Sequence, residues 1–112
     1  MTESIKELAE RYRSAAIGAA NPDPKKANEC YATVHACYKM LCASEGGRDA
    51  ILSLMNDDEP GVRCAAASHS LQWRADVAQQ VLEALRDSKG PFSFTSEMVL
   101  EEYRKGRLKF DY

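Results

Sequence analysis

The sequence predicts an all-α protein of about six helices in a single domain, residues 1–112. Every segment longer than about ten residues places its apolar side chains at helical spacing, and none alternates as a half-buried strand does. Short stretches with proline or glycine separate these segments. With 112 residues, 45% of them hydrophobic, the chain can bury a core of its own.

The first two helices are predicted at residues 2–20 and 24–43, on either side of the turn "NPDP". Proline cannot continue the first helix, whereas Asp23 is a suitable N-cap and Pro24 a suitable first residue for the second. We expect the glycines of "SEGGR" to end the second helix. The apolar stripe of the first helix is Ile5, Leu8, Ala9, Tyr12, Ala15, Ala16 and Ala19. The stripe of the second is Ala27, Cys30, Tyr31, Val34, Cys37, Tyr38 and Leu41.

The other four helices are shorter and are predicted at residues 48–56, 60–72, 75–88 and 95–105. An acidic turn followed by Pro60 starts the fourth helix, since proline is favoured at the first helical position. The segment "SKGPFSF" precedes the sixth helix, for which Ser93 or Thr95 can be the N-cap. We expect Leu108 and Phe110, in the tail, to fold back onto the core.

Apolar positions recur at an offset of thirty residues in the middle of the chain. Leu41 corresponds in this way to Leu71, and Ile51 to Val81. The same offset relates Leu52, Met55, Ala36 and Cys37 to Leu82, Leu85, Ala66 and Ala67, respectively. A fixed period in this range predicts helical hairpins that stack on one another.

The stretch "NDDEPGVRCAAASHSL", residues 56–71, resembles the turn and second helix of a HEAT repeat. It contains an acidic turn with a proline, then Val62 and Arg63, a cluster of alanines, and Leu71. Glu59 departs from the pattern, because Asp before the proline would be a better cap, and so does His69. The resemblance implies three antiparallel hairpins in a short right-handed HEAT-like superhelix, whose second helices form a concave surface.

The repeat and the ending "TSEMVLEEYRKGRL", residues 95–108, together resemble a small bacterial family of HEAT-like proteins of unknown function. Some related small HEAT-like proteins are encoded near toxins. The resemblance therefore implies a protein-interaction module of adaptor or immunity type.

Three residues of the acidic turn have predicted structural roles. Pro60 presets the first turn of the fourth helix. Arg63 is expected to form a salt bridge with Asp57 or with an acid of the adjoining hairpin, because a guanidinium suits carboxylate pairing. The alternative for Arg63 is contact with a phosphate or an acidic partner.

The predicted binding surface consists of Arg63, His69, Trp73 and Arg74, with parts of residues 95–105. A tryptophan beside an arginine is typical of binding hot spots, although Trp73 could instead pack over the end of a hairpin with Arg74 stacked on it. His69 and His35 could be general bases or metal ligands, but core or surface placement is the simpler interpretation. The predicted function is protein–protein interaction without catalysis.

A nucleic-acid-binding α-solenoid is the alternative function. The basic residues that could form strips are Lys25, Lys26, Lys39 and Arg48, and also Arg104, Lys105, Arg107 and Lys109. The net charge of −2 disfavours this function, and Glu101 and Glu102 dilute the second strip. A DNA-binding solenoid should gather its basic residues on one concave face.

The sequence contains none of the motifs of common enzyme or metal sites. A glycine-rich phosphate loop, a Ser-His-Asp order, H-E-x-x-H and Cys-x-x-Cys are all missing. We therefore predict no enzyme activity, no cofactor and no metal. No apolar stretch resembles a signal peptide or a membrane span, so we expect a cytoplasmic protein whose four cysteines stay reduced.

Overall fold

The computed structural model describes residues 3–109, which form six α-helices joined by short turns. The helices are α1 (Ile5–Gly18), α2 (Pro24–Leu41), α3 (Glu45–Leu54), α4 (Pro60–Ser70), α5 (Ala75–Asp87) and α6 (Ser93–Arg104). No strand occurs within residues 3–109. The all-α prediction is confirmed, and each helix end lies within three residues of its predicted position.

The helices pack around a central α4. Helix α1 packs along α2, α3 against α4, and α5 against α6, while α4 also contacts α1, α5 and α6. A short turn joins the two members of each of these three consecutive pairs, as in an αα-hairpin. The second helix of each pair, α2, α4 or α6, contributes residues to the groove described below.

Side-chain caps fix the starts of the first two helices. The Ser4 hydroxyl accepts the Glu7 N–H at 3.1 Å, and the Glu7 carboxylate accepts the backbone N–H of Ser4, so that α1 begins at Ile5. Asp23 accepts the N–H of Lys25 at 3.0 Å, with proline as the next residue. The predicted cap of α2 is therefore confirmed.

Gly46 and Gly47 lie inside α3, so the expectation that "SEGGR" ends the second helix is wrong. Helix α2 has already ended at Leu41, and the hydroxyl of Ser44 caps α3 by accepting the N–H of Gly47 at 3.1 Å. A Cβ atom on Gly47 would lie 1.8 Å from the carbonyl oxygen of Leu41. This glycine is therefore required for the close approach of two helix ends, not for a left-handed backbone.

Helix α6 begins two residues earlier than predicted, and neither Ser93 nor Thr95 is its N-cap. Phe92 occupies the cap position, without a capping side-chain hydrogen bond. The hydroxyl of Ser93 donates instead to the carbonyl oxygen of Arg86 at 2.5 Å. This hydrogen bond connects the start of α6 to the last turn of α5.

Every helix contributes to the core. Its fully buried side chains include, from α1 to α6, Tyr12, Leu41, Ile51, Val62, Leu82 and Leu100. Two members of the predicted stripes are exposed instead, Ile5 by 43% and Tyr31 by 58%. Leu108 is half-buried against the core as expected, and Phe110 lies outside the described residues.

Candidate functional site

A groove of about 390 Å³ lies between α2, α4 and α6, the second helices of the three pairs. Ala16 and Ala19, near the end of α1, form part of its lining. It lies where the second helices were expected to form a concave surface. We take this groove as the candidate functional site.

Small side chains on α4 leave the space that the groove occupies. The lining residues from α4 are Gly61, Cys64, Ala65, Ser68 and His69. A Cβ atom on Gly61 would lie 3.0 Å from the Phe92 ring and 3.3 Å from the carbonyl oxygen of Ala16. The glycine therefore allows α1 and Phe92 to approach the start of α4 closely.

Uncharged side chains form the other two walls. Helix α2 contributes Tyr31, Val34 and His35, and the α6 wall contains Phe92, Thr95 and Val99. None of the residues that line the groove is Asp, Glu, Lys or Arg. The groove is thus apolar, with a few hydroxyl and imidazole groups.

His69 joins three helices at the floor of the groove. Its Nδ1 lies 2.7 Å from the hydroxyl of Tyr12 on α1, and its ring stacks on Tyr38 of α2, with centroids 4.0 Å apart and planes 6° apart. Just beyond α4, Gln72 Nε2 donates to the Tyr38 hydroxyl at 2.6 Å and to the carbonyl oxygen of His69 at 3.1 Å. These contacts fix both the position and the ring orientation of His69.

Burial keeps His69 neutral at physiological pH. The side chain is buried, and desolvation lowers the pKa of His69 to about 3, with a further contribution from the charge of His35. An imidazole with such a pKa is a neutral hydrogen-bonding group at pH 7. The floor of the groove therefore carries no formal charge from His69.

Cys64 is the buried thiol of the groove wall. Its Sγ lies 3.7 Å from Ser96 Oγ on α6, and burial raises the pKa of Cys64. A thiol with a raised pKa is a poor nucleophile, because the thiolate is the reactive form. The contact with Ser96 connects α4 to α6 behind the groove.

Arg63 does not form the predicted salt bridge with the carboxylate of Asp57. Arg63 Nη1 donates to the backbone carbonyl oxygens of Asp57 and Asp58, at 2.8 and 3.1 Å. The Asp57 carboxylate pairs instead with Arg13 of α1, at 2.6 and 3.2 Å, and accepts the N–H of Glu59. The hydrogen bond from Arg13, followed by that from Glu59, lowers the pKa of Asp57. The acidic turn is tied to the first hairpin by Arg13, which sequence analysis missed.

Of the four predicted binding residues, His69 lines the groove, whereas Arg63, Trp73 and Arg74 do not. Trp73 is half-buried against the core, and its Nε1 is buried without a hydrogen-bond partner within residues 3–109. Arg74 is exposed and pairs with Asp76 at 3.2 Å. The two neighbours therefore have different surroundings.

Nearby carboxylates pair with three basic residues of the C-terminal strip. Arg104 pairs with Glu83, and Arg107 pairs with Glu102. Lys105 pairs with Glu101 at 2.6 Å. Neighbouring carboxylates therefore neutralise most of the positive charge of this strip.

Two kinds of feature are missing from residues 3–109. No group of three or more His, Cys, Asp or Glu side chains is arranged to hold a metal ion. None of the six helices is long and apolar enough to cross a membrane.

Comparison with protein-family models, with curated proteins and with solved structures gave no match to this chain.

Proposed function

We propose that this protein is a non-enzymatic interaction module that binds a protein partner in the groove between α2, α4 and α6. The observation that carries the proposal is the uncharged, mainly apolar lining of this concave surface. An apolar concavity with a few convergent polar groups is typical of a recognition site. A rigid stack of helical hairpins that presents such a surface agrees with the proposed HEAT-like, right-handed superhelix.

The charge distribution favours a protein partner over nucleic acid. Binding to a phosphate backbone needs accessible lysine and arginine side chains, and the groove has neither. Lys105 and Arg107 are close to the carboxylates with which they pair. A nucleic-acid-binding solenoid would require a basic concave face instead.

A bacterial adaptor or immunity protein of the cytoplasm is the setting we propose for this activity. All four cysteines are free thiols, the form that a reducing compartment maintains. An immunity protein would need a tight and specific surface for its toxin. The groove, which lies at the centre of the stack, is the surface we assign to that contact.

Binding of the partner in the groove can be tested with a substitution that fills the groove and leaves the core unchanged. Ala65 is half-buried on the wall contributed by α4, so that Ala65→Arg would place a long cation in the groove. Ala84→Arg is the matched control, because Ala84 is exposed on α5 and does not line the groove. Tagged wild-type protein and both variants would be used as baits in a lysate of the native host, and captured proteins quantified by mass spectrometry.

We expect the wild-type protein and Ala84→Arg to capture the same partner and Ala65→Arg to lose it at least tenfold. Circular dichroism should show the same helix content in all three proteins. Equal capture by the two folded variants would show that the partner binds elsewhere.

A further inference from the structure

His69 presents one ring nitrogen to the groove. Nδ1 is engaged by the Tyr12 hydroxyl, so Nε2 is the nitrogen that a ligand at the floor would meet. If Tyr12 donates to Nδ1, then Nε2 carries a proton and donates; in the other tautomer Nε2 accepts. A hydroxyl group on the ligand suits both cases, because it can donate and accept.

The size and the charge of the groove limit what it can receive. A volume of about 390 Å³ is close to the lower end of small-molecule pockets, and it suits one aromatic ring better than a helix. A charged group would lose its hydration without gaining an ion-pair partner, since none of the lining residues is Asp, Glu, Lys or Arg. The occupant should therefore be neutral and mainly apolar.

The aromatic lining also favours an aromatic occupant. Tyr31 on α2 is more than half exposed, and Phe92 lies on the opposite wall. Aromatic rings gain from edge-to-face and offset contacts with other rings, in addition to the area that they bury. A ring that enters between Tyr31 and Phe92 would reach the imidazole at the floor.

We propose that the groove receives the phenol side chain of a tyrosine from the protein partner, with the tyrosine hydroxyl at Nε2 of His69. This proposal rests on the proposed function and specifies the anchor of the partner. Tyrosine is enriched among the residues that dominate binding energy at interfaces. The neutral phenol matches the charge-free lining, and its hydroxyl matches either tautomer of the histidine.

The test uses small probes on the full wild-type chain, so no variant has to fold. The probes are p-cresol, which is the tyrosine side chain, toluene, which lacks the hydroxyl, and 4-methylbenzoate, which carries a negative charge. Each probe would be titrated at pH 7 and followed by NMR shifts of backbone amides and of the histidine ring nitrogens.

We expect p-cresol to give saturable NMR shifts of the backbone amides of Ala65, Ser68 and Thr95, with a Kd of about 1 mM. Of the two ring nitrogens of His69, Nε2 should shift more than Nδ1. Toluene and 4-methylbenzoate should bind at least threefold and tenfold more weakly, respectively. If toluene binds as tightly as p-cresol, the proposed contact between the tyrosine hydroxyl and Nε2 is wrong. If 4-methylbenzoate binds as tightly as p-cresol, the groove does not require a neutral side chain. No saturable shift in the groove would overturn both parts of the proposal.

The probe titration and the capture experiment can fail separately. If p-cresol does not bind while Ala65→Arg loses the partner, the tyrosine anchor is wrong and the proposed function stands. If p-cresol binds while Ala65→Arg still captures the partner, the groove has the proposed chemistry but is not the partner's surface.

Discussion

At the level of single residues, His69 connects three helices through one imidazole ring. Its stacking partner Tyr38 comes from α2, and its hydrogen-bond partner Tyr12 comes from α1. Both tyrosines fit the apolar stripes of their helices, yet each also provides a polar group that the histidine or its neighbour Gln72 uses. Buried networks of this kind stabilise one arrangement of the helices, provided that the histidine stays neutral.

Acid should destabilise the protein through His69. The unfolded chain protonates this histidine at a pKa of about 6.5, whereas the folded protein does so at about 3, so the unfolded state takes up more protons between these values. The free energy of unfolding should therefore fall as the pH falls through this window. From pH 6.5 to pH 5 we expect a loss of about 1.5 kcal/mol, measured by urea unfolding.

The control for this prediction is the double variant Tyr12→Phe with His69→Phe. The variant keeps an aromatic ring at position 69 against Tyr38 and removes the hydroxyl that contacts His69, and neither phenylalanine ring can be protonated. The interaction of His35 with His69 is lost together with the imidazole, so the difference between the two pH series reports His69 and that interaction together. The same loss of stability in wild-type and variant would show that His69 is not its source.

At the level of elements, two adjacent glycines in the first turn of α3 have opposite surroundings. A Cβ atom on Gly46 would approach only the end of the exposed Ile5 side chain, at 3.0 Å. A Cβ atom on Gly47 would meet the backbone of Leu41, at 1.8 Å from the carbonyl oxygen. A side chain can move aside, but the backbone at the end of α2 cannot move without displacing the first hairpin.

We expect Gly46→Ala to raise the free energy of unfolding by up to about 1 kcal/mol, because alanine lowers the entropy of the unfolded chain. Gly47→Ala should lower it by about 2 kcal/mol or more, as overpacking in a tight contact does. Chemical denaturation of the two variants measures the difference directly. Similar stabilities would mean that α2 and α3 can separate at low cost, which contradicts the packing at Leu41.

The helices could be predicted from the sequence, whereas most contacts between them could not. Asp23 and Pro24 act within a few residues of chain, so local rules place the start of α2 correctly. The same local rules gave a wrong prediction at Gly47, which was expected to end α2. This glycine is required by the close approach of α3 to Leu41, and that approach depends on tertiary packing. The contacts of Arg13 with Asp57 and of Tyr12 with His69 span 44 and 57 residues. The periodicity of a single sequence does not specify such pairs. The sequence could therefore indicate which helices form the binding surface, but not which of their side chains contact one another.

At the level of the whole molecule, charge is dispersed rather than concentrated. The chain has a net charge of −2, and several exposed arginines pair with neighbouring carboxylates, as Arg74 does with Asp76 and Arg107 with Glu102. None of the residues that line the groove between α2, α4 and α6 is Asp, Glu, Lys or Arg. The groove itself therefore offers a nucleic acid no lysine or arginine side chain.

We therefore expect no binding of duplex or single-stranded DNA at low salt, where electrostatic attraction is strongest. Fluorescence anisotropy with labelled oligonucleotides at about 20 mM NaCl should give no signal up to about 100 µM protein. The matched control is the double variant Glu101→Gln with Glu102→Gln, in which Lys105 and Arg107 lose their acidic partners. This variant should bind the oligonucleotides measurably under the same conditions. A wild-type affinity of about 10 µM that weakens steeply between about 50 and 200 mM salt would instead assign the protein to the nucleic-acid-binding solenoids.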